Sequence, residues 1–251
     1  VPITLADAPD SRGATWLPDA SIVFTPTFGA GLQRVAAAGG AVEALSTPDP
    51  RAGEYSHRWP QGLPGARSLV FVNWTRAPQL IEHPAIALFG LESAAIHPLI
   101  TDGEYAIYSP TGHLLYTRQG RLHAVTFDTE SLRTVGAPQS ITDVALVDHN
   151  THAGHFAVSS EGTLVYLPGS LSSERTLSWV AADGAEVDVG APPRAYVGAR
   201  LSPERPYRRP PGPLPNYHLA PDGRFLMISG GEVQPLDHLN VVIDWLADIS
   251  R

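Results

Sequence analysis

Three of the chain's ten histidines, His149, His152 and His155, fall within seven residues beside Asp148, the densest group of chemically capable side chains in the sequence. Neutral imidazoles with a carboxylate nearby form a ligand set for a divalent cation such as zinc, manganese or calcium. A cation held there would activate water or polarise an ester or phosphoester, with a carboxylate as base. Three-residue spacing does not put side chains on one face of a strand. The group therefore works as a site only if part of it lies in a loop; otherwise these are exposed loop histidines. No nucleophile elbow, P-loop, dinucleotide fingerprint or HExxH motif is present.

The elements that must position such residues repeat. LAPDGRFLMI at Leu219–Ile228 reads as a short strand, a tight Pro-Asp-Gly turn and a more apolar strand, one β-hairpin. The unit recurs as WLPDASIVF at Trp16–Phe24, GLPGARSLVF at Gly62–Phe71, YSPTGHLLY at Tyr108–Tyr116 and VSSEGTLVY at Val158–Tyr166, and is interrupted as LSPERP at Leu201–Pro206. Its turn position falls at Pro18, Pro64, Pro110, Ser160, Pro203 and Pro221, intervals of 46, 46, 50, 43 and 18 residues. A period in the forties is that of a four-stranded propeller blade, and the last interval is too short for one.

The predicted fold is thus an all-β propeller of four-stranded blades: four intact repeats and an incomplete fifth. Blade one spans about 13–50, with Leu32–Val35 and Val42–Leu45 as its third and fourth strands. Blade two uses Ile86–Phe89 and Ala95–Ile100. Blade three ends in Gln139–Val144 after the polar connector Thr129–Pro138. Blade four takes Leu164–Leu167, Thr176–Val180 and Glu186–Val189. The single propeller domain covers 1–251: residues 13–204 hold blades one to four and the start of five, the proline-rich 205–215 is a linker, and 216–251 is a C-terminal hairpin that completes a blade. Near the end, Leu239–Trp245 suits a strand and Asp244–Ile249 a short helix.

Several segments carry a family resemblance: FTPTFGAGLQRV (24–35), EYSHRWP (54–60), EGTLVYLPG (161–169), ERTLSWV (174–180) and NYHLAPDGRFLMI (216–228). From about Gly13 onward the chain resembles bacterial TolB-like, or WD40-like, propellers, and more closely the propeller regions attached to bacterial serine/threonine kinases. The resemblance implies a binding or sensor module, bacterial and extracytoplasmic. That family usually has further blades where this chain has RPYRRPPGPLP at 205–215, so the chain resembles a larger propeller with an internal deletion. It also usually has small or amide residues at the positions of His152 and His155, and often Asp at that of His218.

In a propeller the first strand of each blade lines the channel, so residues at one end of successive first strands converge. These are Glu54, His57, Glu104, His152, His155, Tyr196 and His218. The candidate site therefore has His57, His152, His155 and His218 as metal ligands and Glu54, Glu104 and Asp148 as bases. For His57 a buried, hydrogen-bonded strand position is the competing reading. Trp16, Trp59, Trp74, Trp179 and Trp245 sit at strand positions of different repeats, where packing between blades competes with an aromatic cage for a sugar or a cation. Ser109, Ser159 and Ser202 occupy equivalent turn positions and read as structural.

Composition narrows the partners. A net charge of −8 argues against a nucleic-acid face, and the basic run Arg205–Arg209 reads as solvated linker. The absence of cysteine removes disulfides and zinc-thiolate sites. No apolar run approaches the roughly 20 residues of a membrane span. A small-molecule or protein ligand is expected. Because an unfinished blade exposes backbone edges, either a homodimer in which residues 216–251 complete a partner's sheet is expected, or a monomer closed by its own C-terminal hairpin.

Overall fold

The tight turns form as their residues dictate. In a computed structural model describing residues 3–76, 82–142, 147–148, 151–169, 175–181, 183–192, 217–220, 222, 224–230, 239–243 and 245–249, Asp19 accepts from the Ser21 amide and hydroxyl at 3.0 and 2.7 Å, closing the first hairpin. At the third hairpin, Gly112 takes φ +82° and its N–H donates to Ser109 O at 3.0 Å. Ser109 Oγ accepts from the Thr111 amide, and Ser159 Oγ from the Thr163 amide. Both serines are turn-closing groups.

Strands β1 (Ala14–Trp16), β2 (Ser21–Phe24), β3 (Gln33–Ala36) and β4 (Glu43–Ala44) pair in chain order as an antiparallel meander. So do β5 (Glu54–Gly62), β6 (Ser68–Arg76), β7 (Glu82–Gly90) and β8 (Ile96–Thr101), and then β9 (Tyr105–Ser109), β10 (His113–Arg118), β11 (Arg121–Asp128) and β12 (Arg133–Thr142). Repeated four-stranded meanders are propeller blades, and the fold is all-β of that kind. β12 begins inside the expected connector Thr129–Pro138. As an outer strand it is mostly exposed, so no apolar alternation announces it; bulges beside Leu122/His123 and Ala124/Thr126 absorb its mismatched length.

Blade four departs from the expected order. β13 (Phe156–Val158) and β14 (Leu164–Tyr166) form the hairpin, but the third strand is β19 (Asn240–Val242), with Leu164 opposite Val242. β15 (Arg175–Val180) and β16 (Glu186–Asp188) join instead with β17 (Tyr217–Leu219) and β18 (Phe225–Gly230) in the order β16-β15-β18-β17. The chain accordingly divides into two compact units, residues 1–170 with 236–251, and residues 171–235. Helix α1 (Trp245–Ile249) follows β19, so strand and helix share the ambiguous segment. Among the described residues no helix is long and apolar enough to cross a membrane. The linker residues 205–215 lie outside the described residues.

Blades of the larger unit pack through aliphatic faces. Leu17, Val23 and Leu32 of the first meet Leu69, Phe71 and Phe89 of the second. Leu63, Val70, Ile86 and Leu88 of the second meet Leu114, Tyr116, Val125 and Phe127 of the third. Leu115 and Leu122 close against Phe156, Leu164 and the fully buried Trp245. Each such side chain removed from water contributes about 1.5–3 kcal/mol, which holds the first strands in place.

Candidate functional site

β5 begins with Glu54, whose Oε1 accepts from Asn73 Nδ2 at 2.6 Å and whose Oε2 accepts from the Asp49 amide at 2.8 Å. His57 Nε2 faces the same Oε2 at 3.4 Å. On the other side of the ring, Nδ1 lies 2.7 Å from Ser46 Oγ, which accepts from the Leu32 amide at 2.9 Å. The donor in the Ser46–His57 hydrogen bond is set by the ring tautomer. The ring is 0% exposed and edge-on to Phe71. Burial holds the imidazole pKa below its ordinary value, opposed by the Glu54 charge. Through Ser46 and Asp49, His57 and Glu54 therefore tie the end of blade one to blade two, while Nε2 has the 3.4 Å contact with Glu54 and no hydrogen bond among the described residues.

The other candidates have separate surroundings where they are described. Glu104 precedes β9; its Oε2 is buried without a hydrogen-bond partner among the described residues, and burial raises its pKa. Asp148 Oδ1 accepts from the Thr151 amide at 3.1 Å and its N–H donates to Ala153 O, so it closes a turn. His152 takes φ +55° in that turn and sets its ring edge-on to Trp74, centroids 4.2 Å apart. His155 is exposed at the entry to β13. His218 lies on β17 opposite Leu226, its side chain outside the described residues, as are His149, Tyr196 and Ser202 altogether. Among the described residues no three His, Asp or Glu side chains come together as a metal group.

A different set of side chains does converge. A pocket of about 460 Å³ is walled by the first strands of three successive blades: Thr15 and Trp16 on β1, Trp59 and Gln61 on β5, Tyr105 and Ile107 on β9. β5 is bulged between Arg58 and Gln61, and Trp59 sits there at φ +54°, a left-handed backbone rare for so large a side chain. The Trp59 N–H donates to Arg12 O at 2.7 Å and its indole N–H to Thr151 O at 3.0 Å. Gly13 makes room, since a Cβ there would lie 2.6 Å from Trp59 Cε3. Tyr105 stands edge-on between Trp59 and Phe156, its phenol raised in pKa by burial. Gln61 Oε1 accepts from the Tyr108 amide, and Thr15 Oγ1 from the Gly62 amide at 3.1 Å.

The five tryptophans separate here. Trp74 and Trp245 are buried in packing, and Arg58 lies between the Trp74 and Phe28 rings at 4.0 and 4.5 Å. Trp179 lies under Arg224. Trp16, on the pocket wall, is 67% exposed. Thr15, Gln61 and Tyr105 carried no signal as site residues in the sequence.

No family model matches the chain, and no curated protein matches it. Solved structures do. The chain resembles one in the nidogen/laminin complex, with a TM-score of 0.50 and 12% identity over 67% of this chain and 60% of that one. A calcium-binding protein, regucalcin, from Agrobacterium tumefaciens strain C58 gives 0.45 and 13% over 70% and 58%. A puromycin-hydrolyzing peptidase from Mycobacterium tuberculosis gives 0.47 and 18% over 93% and 40%. The chain spans about 60% of the first of these, and at such identity the likeness is one of fold alone.

Proposed function

We propose that this chain is a ligand-binding propeller module of the sensor or scaffold type, and that its small-molecule ligand enters the pocket on β1, β5 and β9. The observation that carries the reading is Trp59, held at a left-handed φ inside a strand so that its indole joins Tyr105 and the exposed Trp16 around one hollow. Backbone strain of this sort persists where the surroundings over-determine it, and it concentrates at ligand sites. Aromatic faces beside Thr15 and Gln61 suit a ligand with a flat apolar face and hydroxyl edges, the chemistry of a saccharide. The sequence resemblance to kinase-attached propellers supports the same class.

Titration of intrinsic tryptophan emission with a panel of mono- and oligosaccharides tests it. Saturable change is expected, lost in Trp16→Ala while the melting temperature holds, because that side chain is largely in solvent. Binding undiminished in Trp16→Ala, or no response across the panel, would reject the reading.

Metal-assisted hydrolysis of esters or phosphoesters is the other expectation, and the described donors support it less. His57 Nδ1 is held by Ser46, Asp148 Oδ1 accepts from the Thr151 amide, and among the described residues no three His, Asp or Glu side chains come together. Purified protein is expected to carry no stoichiometric zinc, manganese or calcium by elemental analysis. Chelator-sensitive ester or phosphotriester hydrolysis that fell in His152→Ala and His155→Ala would establish the hydrolase instead.

A further inference from the structure

Some arginines of this acidic chain pair with carboxylates and others do not. Arg12, Arg34 and Arg224 each pair with an aspartate: Asp10, Asp19 and Asp222. Arg67 and Arg133 are exposed, and among the described residues neither side chain has a hydrogen bond or ion pair. Both border the same feature. Between blades two and three two adjoining hollows, about 620 and 190 Å³, share Leu88, His97 and Leu132. Arg133 lines the larger and Arg67 the smaller.

The floor is apolar and built. Leu99 and Leu132 lie partly buried against the core between the two blades, and Leu132 is turned there by a backbone φ of +55° in the connection from β11 to β12. Glu92 is the one carboxylate on either lining. With a formal charge of −8, the chain as a whole repels acidic partners, so two guanidinium groups against a single carboxylate beside an apolar floor mark a local exception.

The geometry points to a docking groove for an extended acidic peptide segment of a partner protein, with an aliphatic side chain seated on Leu88, Leu99 and Leu132 and a carboxylate on each side reaching Arg67 and Arg133. One arginine per hollow, with a shared apolar centre, requires an occupant that alternates charge, aliphatic anchor and charge. Planar guanidinium donors suit carboxylates. The groove is separate from the Trp16 pocket and does not depend on it.

Fluorescence anisotropy with a fluorescein-labelled peptide of alternating glutamate and leucine is the test. Saturable binding is expected that weakens as salt is raised, because exposed charges are screened over about 10 Å at 0.1 M. It should fall about tenfold or more in each of Arg67→Glu and Arg133→Glu, whose melting temperatures should match the parent's, and be unaffected by Trp16→Ala. Equal binding of the lysine-for-glutamate peptide would overturn the proposal, as would an undiminished affinity in the double arginine variant. Octanoate that matched the peptide's affinity and displaced it would assign the hollows to a free amphiphile and overturn the peptide partner.

Discussion

Glu104 and His57 are buried ionisable groups with opposite consequences for stability. Glu104 holds its proton in the folded chain above the ordinary value of 4.5, so unfolding releases protons above that pH. Its contribution therefore turns unfavourable as pH rises from 4.5 through the raised folded value. Glu104→Gln is expected to raise the melting temperature at about pH 7.5 and to have no effect near pH 4.5, as differential scanning calorimetry would show. His57, depressed below 6.5, stays neutral when folded, while the unfolded chain takes up a proton as pH falls below 6.5. Stability is lost on that side.

Among the elements, β5 carries the most consequence in the fewest residues. Its bulge needs Gly13 opposite, at φ +95° and under the Trp59 ring. Gly13→Ala is expected to cost about 1–3 kcal/mol in chemical denaturation and to shift Trp59 emission, since both backbone and ring must move. A matching loss without any spectral change would mean that the pocket is indifferent to that contact.

The hairpins were legible because Pro-Asp-Gly chemistry is local, and their spacing implied blades. Their allocation was not. EGTLVYLPG and ERTLSWV read as successive strands of one meander, yet Leu164–Tyr166 takes Asn240–Val242 and Arg175–Val180 takes Phe225–Gly230. Ladder hydrogen bonds come from a backbone that is the same in every residue, and both third-strand candidates are apolar and β-branched. The site was legible only in part. Glu54 and His57 do meet, since three-residue spacing suffices across the bulged strand. Trp59 precedes Pro60, a context that argues for extended backbone, so its left-handed turn into the pocket left no mark in the sequence.

At the scale of the whole molecule, residues 171–235 are an insertion between the second and third strands of blade four. We propose that the β15–β18 pairing can also form between two copies, since residues 181–224, with five prolines among 205–215, separate the two strands in the chain. Light scattering is expected to find monomer in dilute solution and homodimer after refolding at high concentration. A chain cut after Pro215 should form neither and aggregate. Refolding at high concentration to pure monomer would remove the exchange.

The late origin of β19 also bears on how the protein is made. On the ribosome, blades one to three can close as they emerge, each from strands that are neighbours in the chain. Blade four must wait with its hairpin edge open until residues 240–249 appear, some 75 positions after Leu164, and bring Val242 and Trp245 to seal it. Throughout that interval the nascent chain offers an unpaired strand and a bare apolar face to chaperones or to its neighbours on the same message. Slower translation across 171–235 is therefore expected to lower the yield of folded chain, a dependence carried by the order of the strands rather than by their stability.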